Sequence, residues 1–351
     1  MTFLDPRPAP SISGRDAAPL PRLDPITRLP ILILFPHNRC NCRCLMCDIW
    51  KLKDPVEIGA EDVARWLAEW RALGVERVVL SGGEALMHSN LWELCRRLRA
   101  EGIGITLLSS GLLVARDAVK IAEHVDDLVL SLDGPREIHD EIRNVPRAYG
   151  RLVEGVEAVR ATGKPLSISA RCTVQKKNFR RLRDTVSAAR EAGLERISFL
   201  AADVSSEAFN RPDGPAATGT AAVALSREDL PALASELDLL ERENRADFES
   251  GFIAESPEKL RTRLLRYFSA LLGETDFAPN ECNAPWVSSV IEADGTVRPC
   301  FFHAPLGNVK DAGSLRAVLN SPKALEFRRG LDVATNPVCL RCVCTLRLEQ
   351  G

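Results

Sequence analysis

Short apolar runs alternate with amphipathic helical patterns from Ile31 to about Leu200, and this alternation limits the possible folds more than any other feature of the chain. The runs that read as strands are 31–35, 77–80, 103–108, 127–132, 166–174 and 196–200. Between the first two, Val63, Trp66, Leu67, Trp70 and Leu73 recur at helical spacing, and Gly74 is placed to stop that helix. Leu91, Leu94, Cys95 and Leu98 form a second stripe. Repeated β–α units imply an α/β fold with a parallel sheet and right-handed crossovers. Six such units suit a partial barrel and a doubly wound sheet equally, and periodicity does not choose between them.

Beyond residue 200 the pattern changes. Residues 211–219 read as a loop, helical patterns follow at 227–244 and 257–272, and 287–292 with 296–298 read as a hairpin around Asp294-Gly295. A boundary is expected near residue 275. Residues 1–30 are rich in proline and lack the apolar segment of a secretory signal, so an extended or partly disordered arm is expected. No apolar run approaches the ~18–20 residues that span a bilayer. A net charge of −2 and 5% aromatic content give neither a basic face nor stacking platforms for nucleic acid. These features predict a cytoplasmic protein with no membrane or nucleic-acid partner.

The chain has 11 cysteines, four of them within 40–47 and three within 339–344. Clustering without an export signal argues for reduced thiols that bind metal. Cys40, Cys44 and Cys47 have the spacing C-x3-C-x2-C, directly after the first strand. Three thiolates this close can hold three irons of a [4Fe–4S] cluster and leave the fourth open, whereas such clusters usually have four cysteines. A zinc site would usually show two C-x2-C pairs or added histidines, and His37 is the only histidine nearby. Cys42 lies off the spacing and is read as a non-ligand. Cys95 and Cys172 are read as core. The run 77–80 is followed by Ser81-Gly82-Gly83-Glu84. Glycines at a strand end allow close backbone approach to a ligand, and Glu84 can receive an ammonium group.

Together these stretches resemble the radical S-adenosylmethionine (radical SAM) enzymes. Cys40, Cys44 and Cys47 match that family's cluster motif, with Met46 where the family tends to carry an aromatic or other bulky residue. Gly82, Gly83 and Glu84 match the segment that holds the amino group of SAM, with Ala85 in place of the usual proline. Leu130-Ser131-Leu132-Asp133-Gly134-Pro135 with His139-Asp140 and Arg143 looks like the fourth-strand region of the branch that carries a SPASM or twitch domain. Strand parity supports a polar site here. Val129, Ser131 and Asp133 share one face and Ser169, Arg171 and Thr173 another, opposite apolar faces. His139 and Asp140 are read as opening a helix, where they can cap it. The resemblance covers about residues 31–200. It implies a partial (β/α)6 TIM-like barrel with SAM contacts from Ser131 and Arg171, the latter for the carboxylate. It also implies reductive cleavage of SAM to a 5′-deoxyadenosyl radical that abstracts hydrogen from a substrate.

The second cysteine set has a similar reading. Cys282, Gly295-x4-Cys300 and Cys339-x2-Cys342 can supply a closed four-thiolate site, for zinc or for an electron-transfer cluster. The arrangement resembles the start of a SPASM domain. The full pattern continues with further cysteines, whereas this sequence has only Cys344 left, so one auxiliary [4Fe–4S] cluster is expected on Cys282, Cys300, Cys339 and Cys342. Cys344 is an alternative to Cys342, and His303 is a further candidate. The expected organisation is an arm (1–30), a radical SAM core (31–205), a loop and helical connection (206–275) and a SPASM/twitch-like domain (276–351). Asp203, Glu207, Asn210 and Arg211 follow the sixth strand and read equally as substrate contacts or as a solvated loop.

The expected function is an oxidoreductase-like radical SAM enzyme that dehydrogenates or cross-links its substrate with help from the auxiliary cluster. An electron donor such as flavodoxin or ferredoxin is implied. The short arm tilts the substrate toward a small molecule, with a peptide- or protein-modifying maturase as the alternative. An iron–sulfur electron-transfer protein without SAM chemistry and a zinc-stabilised structural protein are the readings from other classes.

Overall fold

The computed structural model describes residues 24–211 and 222–348. Residues 1–23 of the expected arm and 212–219 of the expected loop lie outside the described residues. Six strands, β1 (Ile31–Leu34), β2 (Arg77–Leu80), β3 (Gly104–Ser109), β4 (Asp127–Ser131), β5 (Ser167–Val174) and β6 (Arg196–Ala201), pair in parallel in chain order. That order separates the two layouts the periodicity left open. A doubly wound sheet reverses strand order partway across. This sheet does not, and the core is a partial (β/α)6 barrel.

Helices α1 (Ala60–Ala72), α2 (Leu91–Ala100), α3 (Val114–His124), α4 (Arg136–Arg143), α5 (Ala148–Ala161) and α6 (Leu182–Glu191) connect the strands. Helix α1 shows why the sequence folds this way. Asp62 accepts the Gly59 N–H at 2.9 Å and caps its start. Its apolar stripe buries Val63, Trp66, Leu67 and Trp70. Gly74, at φ +66°, ends it in the left-handed conformation that favours glycine. Burying each large apolar side chain contributes about 1.5–3 kcal/mol. Along β5 the exposure alternates, with Ile168, Ala170, Cys172 and Val174 buried and Arg171 exposed on the opposite face. The helices therefore cover one face and leave a polar lumen on the other.

The expected hairpin is present, but its position is not foreseen by local pattern. Strand β7 (Ser288–Ile291) lies parallel beside β1, and β8 (Thr296–Arg298) and β9 (Gly307–Asn308) continue antiparallel. The C-terminal segment thus extends the barrel sheet to nine strands. Glu69 of α1 strengthens the join. Its carboxylate accepts from Ser314 Oγ at 2.5 Å and from the Leu315 N–H at 2.7 Å, at the start of the helix Leu315–Leu319. At the other edge Ile197 exchanges backbone bonds with Phe252 and Ala254, which blunts β6.

Residues 24–30 correct the expectation of a loose arm. Ile26 and Leu29 are core residues, Ile26 exchanges two hydrogen bonds with Asn320, and Arg328 donates to Asp24 at 2.9 Å. Proline-rich composition describes backbone stiffness, and these contacts come from tertiary packing. Among the described residues no helix is long and apolar enough to cross a membrane.

Candidate active site

The loop that follows β1 carries the first cysteine set at the C-terminal ends of the strands, where barrels of this kind place their ligands. It is fastened to the loop after β2. His37 Nδ1 accepts the Arg39 N–H at 2.9 Å, so Nε2 carries the proton and donates to Glu84 O at 2.6 Å. Burial lowers the His37 pKa and keeps the ring neutral. Both nitrogens are engaged, so this histidine is not available to a metal. The Glu84 N–H donates to Arg39 O at 2.9 Å. A Cβ on Gly83 would lie 1.9 Å from that same carbonyl, and Gly82 holds φ +99°. The two glycines therefore let the β2 loop close on the cysteine loop itself.

Glu84 is 1% exposed, and its carboxylate is already shared out. Oε1 accepts from Ser109 Oγ at 2.9 Å and the Leu86 N–H at 3.3 Å; Oε2 accepts from the Ser110 N–H at 2.7 Å and Ser110 Oγ at 2.5 Å. A carboxylate offers about four acceptor positions, and the chain fills all four. Burial raises the Glu84 pKa, and the serine donors work against that shift. In this arrangement the side chain braces β2 against β3.

Cys40, Cys42 and Cys44 form a chain of thiols. Cys42 is buried between the Cys40 and Cys44 sulfurs, which share its one S–H and raise its pKa. That contact lowers Cys40 and, with help from Arg143, brings Cys44 down to about 7. Burial pushes Cys47 up to about 12. Arg143 Nη1 donates to Cys44 Sγ at 3.6 Å, and Nη2 lies 2.5 Å from Asp133 Oδ2. Burial opposes the charge on Arg143, but Asp133 and the Cys44 and Cys42 sulfurs outweigh it and hold the pKa high.

Ser131 and Arg171 face each other across β4 and β5 in register. The Arg171 guanidinium is exposed in the lumen and donates to Ser198 Oγ at 3.3 Å. In and near the cysteine loop several buried polar atoms lack a hydrogen-bond partner, Arg39 Nε and Asp48 Oδ2 among them, and two more point to a bound group. One is Asn41 Nδ2; the other is Oε1 of Gln175, whose amide nitrogen donates to Met46 Sδ at 3.6 Å. Buried polar atoms normally have partners, so a bound group with donors and acceptors fits here. The loop after β6 fastens the far end of the cysteine loop. Asp48 N–H donates to Phe209 O at 3.0 Å, Asn210 Nδ2 donates to Asp48 O at 2.9 Å, and Arg211 is buried in an ion pair with Asp203. Asn210, Asp203 and Arg211 are thus braces of the loop, and Glu207 is exposed.

The second set is assembled from three distant segments. Cys282 precedes the short helix Ala284–Val287, Cys300 follows β8, and Cys339 lies in the helix Pro337–Leu340. Cys282, Cys300, Cys339, Cys342 and Cys344 line one cavity with Phe302 and His303. His303 Nε2 lies 3.3 Å from Cys339 Sγ, and Cys342 Sγ donates to Cys344 O at 2.8 Å. Asn280 donates to Cys339 O, and Asn283 exchanges bonds with Leu348. These two asparagines on either side of Cys282 tie it to the tail. Burial raises Cys282, brings Cys300 to about 11 and Cys339 to about 12, and pushes Cys342 higher still. Arg263 reaches the same region, bonded to Asn280 and Thr345. Among the described residues no three His, Cys, Asp or Glu side chains converge on a single metal ion. Soft thiolates in two groups suit iron–sulfur clusters.

Two sequence expectations change. His139 and Asp140 do not open α4, which starts at Arg136. His139 is fully buried and accepts the Asp133 N–H, while Asp140 caps the following helix through the Arg147 and Tyr149 N–H groups. A helix that starts earlier turns both residues into its interior. Cys95 and Cys172 are buried in the core. Sequence reasoning missed Ser109, Ser110, Asn280 and Arg263. Their partners lie in other elements, and only the polar pair at the end of a strand-like run gave a local signal.

A model of the radical SAM superfamily matches residues 34–189, and one of an iron–sulfur cluster-binding SPASM domain matches residues 282–343. The AdoMet-dependent heme synthase of Methanosarcina barkeri is 30% identical over 174 residues, 48% of this chain and 49% of that enzyme. The chain thus spans about half the length of that relative. The PqqA peptide cyclase of Ruegeria pomeroyi is 28% identical over 337 residues, 91% of this chain and 80% of that enzyme. Among solved structures, native anSMEcpe with bound AdoMet has a TM-score of 0.64 at 19% identity, covering 89% of this chain and 86% of that one. Streptococcus suis SuiB bound to S-adenosylmethionine has a TM-score of 0.63 at 17% identity, covering 90% and 72%. Both show a shared fold.

Proposed function

Because the chain belongs to the radical SAM superfamily and carries a SPASM iron–sulfur domain, we propose that it modifies a peptide or protein side chain. The core of such a protein binds a [4Fe–4S] cluster and SAM, and its SPASM domain binds auxiliary iron–sulfur chemistry. The observation that carries the substrate class is the match to a peptide cyclase over 91% of this chain, whereas the heme synthase match covers 48%. This reverses the tilt toward a small molecule drawn from the short arm.

In this reading Cys40, Cys44 and Cys47 hold the first cluster. Ser131, Arg171 and the Gly82-Gly83 backbone receive SAM, with Glu84 fixing that backbone. The bound pair supplies a 5′-deoxyadenosyl radical by one-electron reduction of the sulfonium. The chain's own contribution is to orient and to exclude water. Arg171 offers a guanidinium matched to a carboxylate, and the loop after β6 closes over Asp48. Cys282, Cys300 and Cys339, with Cys342 or Cys344, hold one auxiliary cluster that takes up an electron or anchors the substrate. Oxidation of the substrate and supply of electrons by a flavodoxin- or ferredoxin-type donor belong to this proposal.

The test uses anaerobically reconstituted protein with SAM and dithionite. A cell extract is separated by size, and each fraction is assayed for stimulation of 5′-deoxyadenosine formation. Stimulation by a fraction that loses its effect after protease digestion supports a peptide substrate. Stimulation confined to the smallest fraction and resistant to protease overturns it.

A further inference from the structure

We propose that Arg143 is a positioning residue that seats Cys44 and sets the reduction potential of the first cluster, with Asp133 holding its guanidinium in place. The proposal rests on the reading that Cys40, Cys44 and Cys47 carry that cluster.

Cys44 is gripped from three directions by the end of one helix. The Arg43 N–H donates to Arg143 O and the Leu45 N–H to Ile142 O, both at 3.1 Å. Those carbonyls belong to the last turn of α4, where helical carbonyls lack partners within the helix. The amides on either side of Cys44 satisfy them. The third grip is the guanidinium on the sulfur at 3.6 Å.

The guanidinium is itself fixed. Asp133 is fully buried and lies 2.5 Å from Nη2, while its other oxygen accepts the Thr173 N–H at 2.9 Å. Asp133 lies two residues beyond Ser131, and Thr173 two residues beyond Arg171. The brace therefore hangs from the two strands proposed to receive SAM. Arginine suits this task because its planar fork meets two partners at once.

Hydrogen bonds to sulfur, net charge and burial set the potentials of iron–sulfur clusters. Reduction adds negative charge to the cluster. A buried cation that donates to one of its thiolates favours the reduced state and is screened little by salt. Asp133 offsets part of the charge, but the donor on Cys44 belongs to Arg143. A purely structural residue would affect seating and leave the potential alone.

The experiment is a dithionite titration of the reconstituted full chain, followed by electron paramagnetic resonance, with iron and sulfide counts. Arg143→Met is expected to keep the first cluster and to lower its one-electron reduction constant at least tenfold, about 59 mV more negative. The auxiliary cluster serves as an internal reference and should not move. Arg143→Lys keeps the charge but not the fork, and should give a smaller shift of the same sign. Unchanged potential of the first cluster in either variant, with iron retained, overturns the proposal. If Arg143→Met loses the cluster, Arg143→Lys carries the test alone. Failure of the underlying reading looks different: the Cys40, Cys44 and Cys47 triple alanine variant would keep all its iron.

Discussion

The two cysteine-rich regions reach similar chemistry by opposite routes. The first lies in one loop, held mainly through backbone by the carbonyls of α4, the Gly82-Gly83 turn and the loop after β6. The second is drawn from three segments and held by asparagine side chains around Cys282. Their electrostatics differ too. In the first, a buried Arg143 with a carboxylate partner touches a sulfur, and Cys44 sits near 7. In the second, burial raises the four proposed ligands, and Arg263 meets the neutral groups of Asn280 and Thr345. A compact loop with three thiols at C-x3-C-x2-C suits a site that keeps one iron open. A walled cavity of five cysteines suits a closed site.

The largest effect should come from removing each set in turn. Wild-type protein is expected to hold about eight irons from two four-iron clusters. Alanine at Cys40, Cys44 and Cys47 should remove half and abolish 5′-deoxyadenosine formation. Alanine at Cys282, Cys300, Cys339 and Cys342 should also remove half, yet leave dithionite-driven SAM cleavage. Cleavage that survives the first change would erase the proposed distinction between the regions.

Gly83→Ala tests whether backbone closeness builds the first region. Its Cβ would strike Arg39 O, and overpacking of this kind costs about 1–3 kcal/mol. A lowered melting temperature with selective loss of first-site iron is expected. Iron content at the wild-type level would mean that the loop relaxes freely.

Glu84→Ala removes the acceptor for Ser109 and Ser110, and each buried unpaired group costs about 1–3 kcal/mol. The brace predicts weaker SAM binding, by about tenfold or 1.4 kcal/mol, together with partial loss of first-site iron. Isothermal titration and iron assay separate the outcomes. Weaker binding with full iron would return the carboxylate to direct contact with SAM.

The smallest effects concern the spare thiols. Cys42→Ser should leave iron content unchanged, because the matching trio is complete without it and a hydroxyl still offers one donor and two acceptor positions to its neighbours. Of Cys342→Ser and Cys344→Ser, one should cost auxiliary iron and the other should not. Equal loss from both would make the second site depend on all five cysteines.

Much of the barrel was legible because its signals are local. Alternation marked all six strands within a residue or two at either end, as at 77–80, and the helical stripes marked α1 and α2. Leader and tail were harder. Ile26 packs against a segment almost 300 residues away, through the pair of bonds to Asn320, and no window of sequence contains both partners. The misread start of α4 has the same origin. Pro135 and Arg136 begin that helix, and the fate of His139 depends on its burial against Asp133.

The sequence alone determined the chemistry: three thiols at C-x3-C-x2-C, five more near the end, and a polar strand face opposite an apolar one. Covalent spacing and side-chain parity fix such things whatever the rest of the chain does. The tertiary structure decided what surrounds those thiols. It placed β7 beside β1, turned the Glu84 carboxylate inward onto serines, and brought Arg143 to Cys44 across 99 residues of chain. Burial, hydrogen-bond satisfaction and charge act through space, and only the folded chain sets those distances.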